Sequence, residues 1–423
     1  MADQKAPEAL TLAVVGGGAA GFFGAIAAAT ANPHCRVILY EAGLQPLAKV
    51  RISGGGRCNV THHCFDPAQL ALYYPRGGQA LRGAFSRFQP KDTVAWFAQH
   101  GVALKTEADG RMFPVTDDSA TIVDCLMGAA QRAGVQIKTR SPITGIERSG
   151  NRFFLQLKHP AEDMGCDRLL LATGSSPIGH RLARSLGHTL VPTVPSLFTF
   201  QVADQRLHQL SGVTVETVTI QIKAQPQSQR QPSSGLTQTG PLLITHWGLS
   251  GPAVLKLSAW GARLLHEHNY QIPLKVNWLP ALSADQVRAD LHKVKTESGK
   301  KAIATFSPYA PISKRLWQYL LHRLEIDGAL TWANLSKKQI NLLVQELTQG
   351  HYDVTGKGTF KEEFVTCGGI SLPEVDFKTM ASRQCGGLYL AGEILDIDGV
   401  TGGFNFQSAW TTGWLAGQAM SHL

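Results

Sequence analysis

The chain has 423 residues, 43% hydrophobic and 17% charged, with a formal net charge of +9 and a pI near 9.2. That length allows two or three domains with real cores, and the composition excludes disordered and fibrous classes. No apolar run reaches the roughly 18 residues of a membrane span, MADQKAPEAL lacks the pattern of a secretion signal, and seven irregularly spaced cysteines make no disulfide framework.

The first element is the apolar run from Leu12, which ends in the glycine turn of LAVVGGGAAG. Gly16, Gly18 and Gly21 form a G-x-G-x-x-G pattern, and an Ala-rich helix is predicted to open at Ala19 and Ala20. In this arrangement the glycines allow a tight turn, approach to a pyrophosphate and close helix–strand packing, with the phosphates on the helix N-terminus. Arg36 to Tyr40 is the next strand. Glu41, at its end, lies about 20 residues past the last glycine, where an acid binds ribose hydroxyls. Strand, glycines, helix, strand and acid together point to a bound adenine dinucleotide.

Further on, a helix is predicted over Thr121–Ala133, a short strand over Val135–Thr139, and a hairpin of Ile143–Glu147 with Arg152–Leu157. Cys166–Ala172 is a buried strand running into Thr173 and Gly174. From Pro195 the character changes to β-branched segments: Phe198–Val202, Val213–Ile222, Leu242–Thr245 and Tyr270–Trp278. Ala224–Thr239 among them is a polar, low-complexity loop expected to be mobile. Helical patterns follow at Ala284–Ser298, Ser313–Glu325 and Lys337–Thr348. The chain then returns to strand and glycine signals, with Gly387–Ala391 as a strand and a helix opening from about Gln407. Four segments result: residues 1–195 and 356–423 as two parts of one nucleotide-binding domain, 196–280 as a β-rich insertion, and 281–355 as its helical subdomain.

The second chemical signal is at the C-terminal end. A strand ending in Gly392-Glu393 suits hydrogen bonding to the ribityl and pyrophosphate portion of a flavin dinucleotide. Gly402, Gly403, Phe404 and Asn405 open the last helix, whose positive end would face flavin N1 and O2. Both ends therefore point to FAD as the resident cofactor. No second G-x-G-x-x-G is present, so NADH or NADPH is expected to dock transiently as electron donor.

The segments Lys49–Thr61 (KVRISGGGRCNVT), Thr245–Pro252, Val365–Leu372, Lys378–Met380 and Gly387–Gln407 resemble the BaiN/RdsA family of FAD-dependent oxidoreductases from first strand to last helix. The resemblance implies an α/β fold: a Rossmann-like FAD-binding domain of glutathione-reductase-like architecture, split by an inserted β-barrel-like domain with a helical subdomain. It also implies reduction of an activated carbon–carbon double bond, with ribosomal RNA uridine and bile-acid enones as known family substrates. Lys49, Ser53, Gly54, Gly55, Arg57, Cys58, Asn59, Thr173 and Gly174 are expected at the cofactor, with Arg57 available to a phosphate or a reduced flavin anion.

Cys58 and Cys64 are separated by five residues, which does not fit the C-x-x-x-x-C pair of disulfide reductases. Candidate proton donors are Cys367 and His246, with Cys58 third; each reads more readily as a packed or hydrogen-bonded structural residue, with solvent as the alternative source. The +9 charge favours a polyanionic partner such as ribosomal RNA over a small enone. Its basic runs, Lys293–Lys301, Ser313–Arg315 and Lys337-Lys338, fall in one part of the chain. A cytoplasmic protein with no membrane partner and no metal is expected.

Overall fold

An Ala-rich helix packed beside a run of apolar strands sets the architecture. The computed structural model describes residues 10–158, 163–222, 236–358 and 365–422. Strand β1 (Thr11–Val15) leads through the glycine turn into α1 (Ala19–Ala31), which has ten of its thirteen residues buried. β2 (Arg36–Tyr40) pairs in parallel with β1 in the register Leu12↔Val37. Both strands are nearly continuous apolar runs, as strands covered on both faces require. Helix α2 (Ser119–Arg132) starts two residues before the predicted helix, because Asp118 caps it through the Ala120 amide at 2.8 Å. It leads to the edge strand β3 (Gln136–Lys138), parallel to β2.

The predicted strand over Cys166–Ala172 is two elements. Asp163–Cys166 pairs with Arg152–Leu157, making the predicted hairpin a three-stranded meander. β4 (Arg168–Leu171) joins the parallel sheet beside β1. Asp167, between them, ties the break down by accepting the Thr11 amide at 2.8 Å. Helix α3 (Pro177–Ser185) follows.

The chain then enters a closed barrel of six antiparallel strands: β5 (Phe200–Val202), β6 (Thr214–Ile222), β7 (Leu236–Thr245), β8 (Gly248–Ser250), β9 (Ile272–Asn277) and β10 (Gly350–Lys357). Around the barrel the order is β5-β8-β7-β6-β9-β10, with β10 closing onto β5. Val218, Ile220, Leu242, Ile244, Leu274, Val276 and Val354 fill it. Alternation of inward apolar and outward polar residues gives each strand its face. Of the loop expected over Ala224–Thr239, residues 224–235 lie outside the described residues, and Leu236–Thr239 belongs to β7, paired with Thr219–Ile222. β10 was not legible in advance: GHYDVTGK has only two large apolar residues, Tyr352 and Val354, both turned inward.

Four longer helices accompany the barrel. α4 (Pro252–Trp260) packs on β6 and β7, and α5 (Ala284–Glu297), α6 (Lys314–Arg323) and α7 (Lys337–Gln349) form the helical part. Ser283, Ser313 and Ser336 cap the last three through backbone amides. Arg323 bonds Glu346 at 3.2 Å and lies 3.6 Å from Asp204. Tyr352 and Tyr319 donate to Glu346 and Asp204, each at 2.8 Å.

The return leg supplies β11 (Val365–Ile370), β12 (Leu388–Leu390) and α8 (Phe404–Ser421). β12 pairs in parallel with β4, and two short antiparallel strands, Ala381–Ser382 and Val375–Asp376, complete a seven-stranded sheet. α8 lies directly on α1: a Cβ at Gly413 would sit 2.5 Å from the Ala20 carbonyl oxygen, and one at Gly417 2.3 Å from that of Gly24. Only glycine permits that approach. The described residues up to Thr193 and from Val365 onward form one compact unit, and those from Val194 to Gly358 a second.

Candidate cofactor site

The turn between β1 and α1 separates its glycines by task. Gly16 has φ +111°, and a Cβ there would lie 2.4 Å from the Ala172 carbonyl oxygen; one on Gly21 would lie 1.9 Å from that of Gly16. These two are steric requirements of the fold. Gly18 is different: its φ is −91°, a conformation open to any residue, and a Cβ there would meet nothing within 4 Å. It is the N-cap of α1 and offers no side-chain cap, so the amides of the first turn, at Ala19 and Ala20, face that space without a capping acceptor. An uncapped, half-buried helix start over a glycine hollow is a donor set suited to a pyrophosphate. Glu41 is held at its side, accepting from the Gly17 amide at 2.8 Å and the Gly43 amide at 2.6 Å, one oxygen each. Each oxygen keeps a lone pair for a ribose hydroxyl.

A second glycine turn follows the short helix Ala48–Ile52. Gly54, Gly55 and Gly56 all have positive φ, +57°, +69° and +86°, and a Cβ on Gly55 or Gly56 would again meet nothing within 4 Å. Ser53 donates to the Val50 carbonyl at 2.9 Å and its own carbonyl accepts the Cys58 amide at 3.0 Å, closing the turn. Lys49 forms a 2.7 Å ion pair with Glu393, whose other oxygen accepts the Thr366 amide at 3.1 Å. Gly174 abuts the same carboxylate, where an added Cβ would be 3.6 Å from it. Lys49 is 59% exposed, so this pair is held loosely and open to exchange with a ligand. The Gly392 amide donates to Thr412 at 2.9 Å.

Two buried polar atoms in this neighbourhood have no hydrogen-bond partner: Thr173 Oγ1 and His180 Nε2. His180, on α3, hydrogen-bonds the Ile394 backbone; burial holds its imidazole below the ordinary range against the pull of Glu393. Polar atoms left unsatisfied in a folded interior mark a place where another group belongs. His180 was not among the residues singled out from sequence, since a lone histidine in PIGHRLARS carries no motif.

At the other end, α8 starts at Phe404, three residues earlier than expected, because Gly403 is in the left-handed region at φ +87° and ends the turn there. Asn59, with its amide oriented to satisfy both neighbours, donates to the Thr61 carbonyl and accepts the Gly403 amide, each at 3.0 Å. The Gly403 amide expected to face the flavin is thus already bonded. Asn405 exchanges two hydrogen bonds with Gly399, at 2.8 and 2.9 Å, and His62 bonds the Gly402 carbonyl at 3.0 Å. The neighbouring Arg76–Asp398 pair has Asp398 fully buried.

Arg57 departs from its expected part as an anion partner. Its guanidinium bonds Glu107 at 2.7 Å and Asp117 at 3.3 Å and lies 4.0 Å over the Phe113 ring. Arg111 and Lys105 pair with the same two carboxylates.

The candidate proton donors differ in exposure. Cys58 and Cys367 are both fully buried, and burial pushes the Cys58 thiol up to about 12. Cys58 sits at φ +59°, at the end of the glycine turn. Cys367 lies in β11, where the next amide, Gly368, bonds Asp396 at 3.0 Å. Neither thiol presents a surface that a substrate would touch. His246 is exposed in the second unit, between β7 and β8, with Nε2 3.4 Å from the Ser211 hydroxyl.

Comparison with known families is decisive for kinship. A family model described as the HI0933-like protein Rossmann domain matches residues 10–419. The chain belongs to the HI0933-like family. Among curated members, it is 30% identical over 418 residues to the 3-dehydro-bile acid delta(4,6)-reductase of Clostridium scindens, covering 96% of this chain and 98% of that protein. It is 31% identical over 426 residues to the ribosomal RNA dihydrouridine synthase of Escherichia coli, covering 96% of each. The protein of the same description from Haemophilus influenzae is 30% identical over 428 residues, 96% of this chain and 98% of that one. These kinships are those of the BaiN/RdsA resemblance. Among solved structures, 3-ketosteroid delta1-dehydrogenase from Sterolibacterium denitrificans has the same fold at TM-score 0.50 and 10% identity, over 97% of this chain and 99% of that one. No helix among the described residues is long and apolar enough to cross a membrane.

Proposed function

We propose that this FAD-dependent oxidoreductase of the HI0933-like family reduces the C5–C6 double bond of uridine in ribosomal RNA, giving dihydrouridine. The observation that carries the cofactor half is the open hollow over Gly18 at the uncapped start of α1. The acceptor half is supported by the Escherichia coli and Haemophilus influenzae relatives and by a surplus of basic charge. When bound there, FAD would supply the hydride for C6, with NADH or NADPH as the source of its electrons.

Around that cofactor the chain's own groups bind and orient. The first-turn amides of α1 take the pyrophosphate, Glu41 the ribose, and Lys49 and Glu393 exchange their mutual pairing for contacts with it. Thr173 Oγ1 and His180 Nε2 gain the partners that folding alone denies them. Because both thiols are sealed, the proton for C5 comes from solvent or from the exposed His246 rather than from Cys58 or Cys367. A uridine within a duplex is out of reach of any such site, so the target base lies in a single-stranded or extruded position.

A second reading, reduction of a small conjugated enone, has one specific support: the bile-acid reductase is as similar to the chain as the RNA-modifying relatives. The two readings separate in an anaerobic reoxidation assay on the chemically reduced holoprotein. Bleached flavin absorbance that returns on adding protein-free ribosomal RNA, with dihydrouridine formed, supports the uridine reading. Return only with a steroidal enone overturns it.

A further inference from the structure

Charge is unevenly divided along the chain. Residues 194–364 carry 18 Lys and Arg against 12 Asp and Glu, so +6 of the total +9 falls in the insertion. Within it the fold concentrates lysines further. Lys295 Nζ donates to the Leu335 carbonyl at 2.5 Å, and the Ala333 and Trp332 amides donate to the Gly299 and Lys301 carbonyls, each at 3.0 Å. An Ala302–Thr331 bridge completes the seam. These bonds set the end of α5, with Lys293, Lys295, Lys300 and Lys301, against the start of α7, with Lys337 and Lys338. Glu297 is the one acid in 293–301 and 331–339, 3.9 Å from Lys293, and both are well exposed.

The arrangement runs against local helix electrostatics. Lys337 and Lys338 occupy the first turn of α7, the positive end of its dipole, where acids are preferred. The capping box there uses Gln339, which satisfies the Ser336 amide without a counter-charge. Such a conflict with a local rule marks a functional surface more often than an accident. Of the exposed large apolar side chains among the described residues, Trp260 alone lies in the insertion, and not in this seam. A surface of lysines without an apolar face fits a polyphosphate backbone and lacks what membrane insertion requires.

We propose that this lysine seam, formed by the end of α5 and the start of α7, is the docking surface for the phosphate backbone of ribosomal RNA. It rests on the reading of RNA as substrate, and gives that reading a binding surface separate from the cofactor hollow.

The test is binding of the flavin-loaded protein to protein-free Escherichia coli ribosomal RNA across a salt series. Removing Lys293, Lys300, Lys337 and Lys338 together by substitution with Ala is expected to lower the slope of log affinity against log salt by about 3. At about 0.15 M salt this weakens binding roughly 100-fold. Flavin absorbance and thermal midpoint stay as in the wild type. An unchanged slope overturns the proposal, as does an equal loss on removing Arg82, Lys91, Arg132 and Arg184 instead. Wild-type protein that prefers phosphatidylserine vesicles to RNA overturns it too. Lysine-dependent binding without any dihydrouridine formed supports the dock while refuting the substrate reading. No RNA binding beside active enone turnover refutes both.

Discussion

The nucleotide-binding unit and the insertion place their unsatisfied polar groups differently. In the first they lie around the glycine turns: α1 starts without a cap, Glu41 is fixed by two amides with acceptor lone pairs to spare, and Thr173 Oγ1 and His180 Nε2 have no partner. In the insertion the polar network Tyr319–Asp204–Arg323–Glu346–Tyr352 is closed within itself. Its unpartnered buried atoms include two indole N–H groups, Trp278 and Trp332. A fold that leaves strong donors unsatisfied around a glycine hollow loses stability there unless a ligand completes it. The hollow proposed for FAD therefore belongs to the first unit. What the second adds is shape and surface charge.

The largest effect that would break this contrast comes from Gly18→Asp. The backbone there accepts a side chain, so the protein is expected to fold, yet a carboxylate in the hollow should abolish flavin binding; the purified variant would be colourless with native circular dichroism. Gly21→Ala, forced 1.9 Å from the Gly16 carbonyl, should instead fail to fold. A colourless, folded Gly21→Ala or a yellow Gly18→Asp would contradict the division of tasks.

Next in size is Asp398→Ala, which removes the buried carboxylate paired with the largely buried Arg76 guanidinium. Loss of one partner of such a pair costs about 3–5 kcal/mol, readable as a lowered urea midpoint. Smaller again are Cys58→Ala and Cys367→Ala. Sealed thiols predict that each keeps dihydrouridine formation within about tenfold of the wild type, whereas loss of a general acid would cost about 10²–10⁴-fold. Single-turnover rates decide between them.

The smallest concerns acid. Burial opposes ionisation of Glu374, but hydrogen bonds from Thr189 and the contact with His188 at 2.8 Å outweigh it and hold the carboxyl below its ordinary range. A depressed carboxylate contributes stability above the ordinary carboxylate pKa and loses it as pH falls through the depressed value. Urea midpoints of the wild type should fall below about pH 4, and Glu374→Gln should flatten that fall while leaving flavin binding intact.

The glycine turn, the parallel strands, the β-rich character of the insertion and six of the helices were legible because each carries a periodic or spaced pattern. Tertiary partners were not. Nothing in SGGGRCN shows that Arg57 is claimed by Glu107 and Asp117 from a later strand and turn, or that Asn59 takes the Gly403 amide from the far end of the chain. His180 and Arg76 matter only through neighbours brought in by β12 and the loop after it. The break at Asp167 was hidden by an unbroken apolar run on its far side, Leu169 to Ala172. Likewise β10 has too few apolar residues for its alternation to stand out.

The central claim is most directly tested by nucleoside mass spectrometry of ribosomal RNA from cells with and without the gene. The account predicts that dihydrouridine disappears on deletion, returns with the wild-type gene, and does not return with Gly18→Asp. Undiminished dihydrouridine in the deletion strain would contradict it.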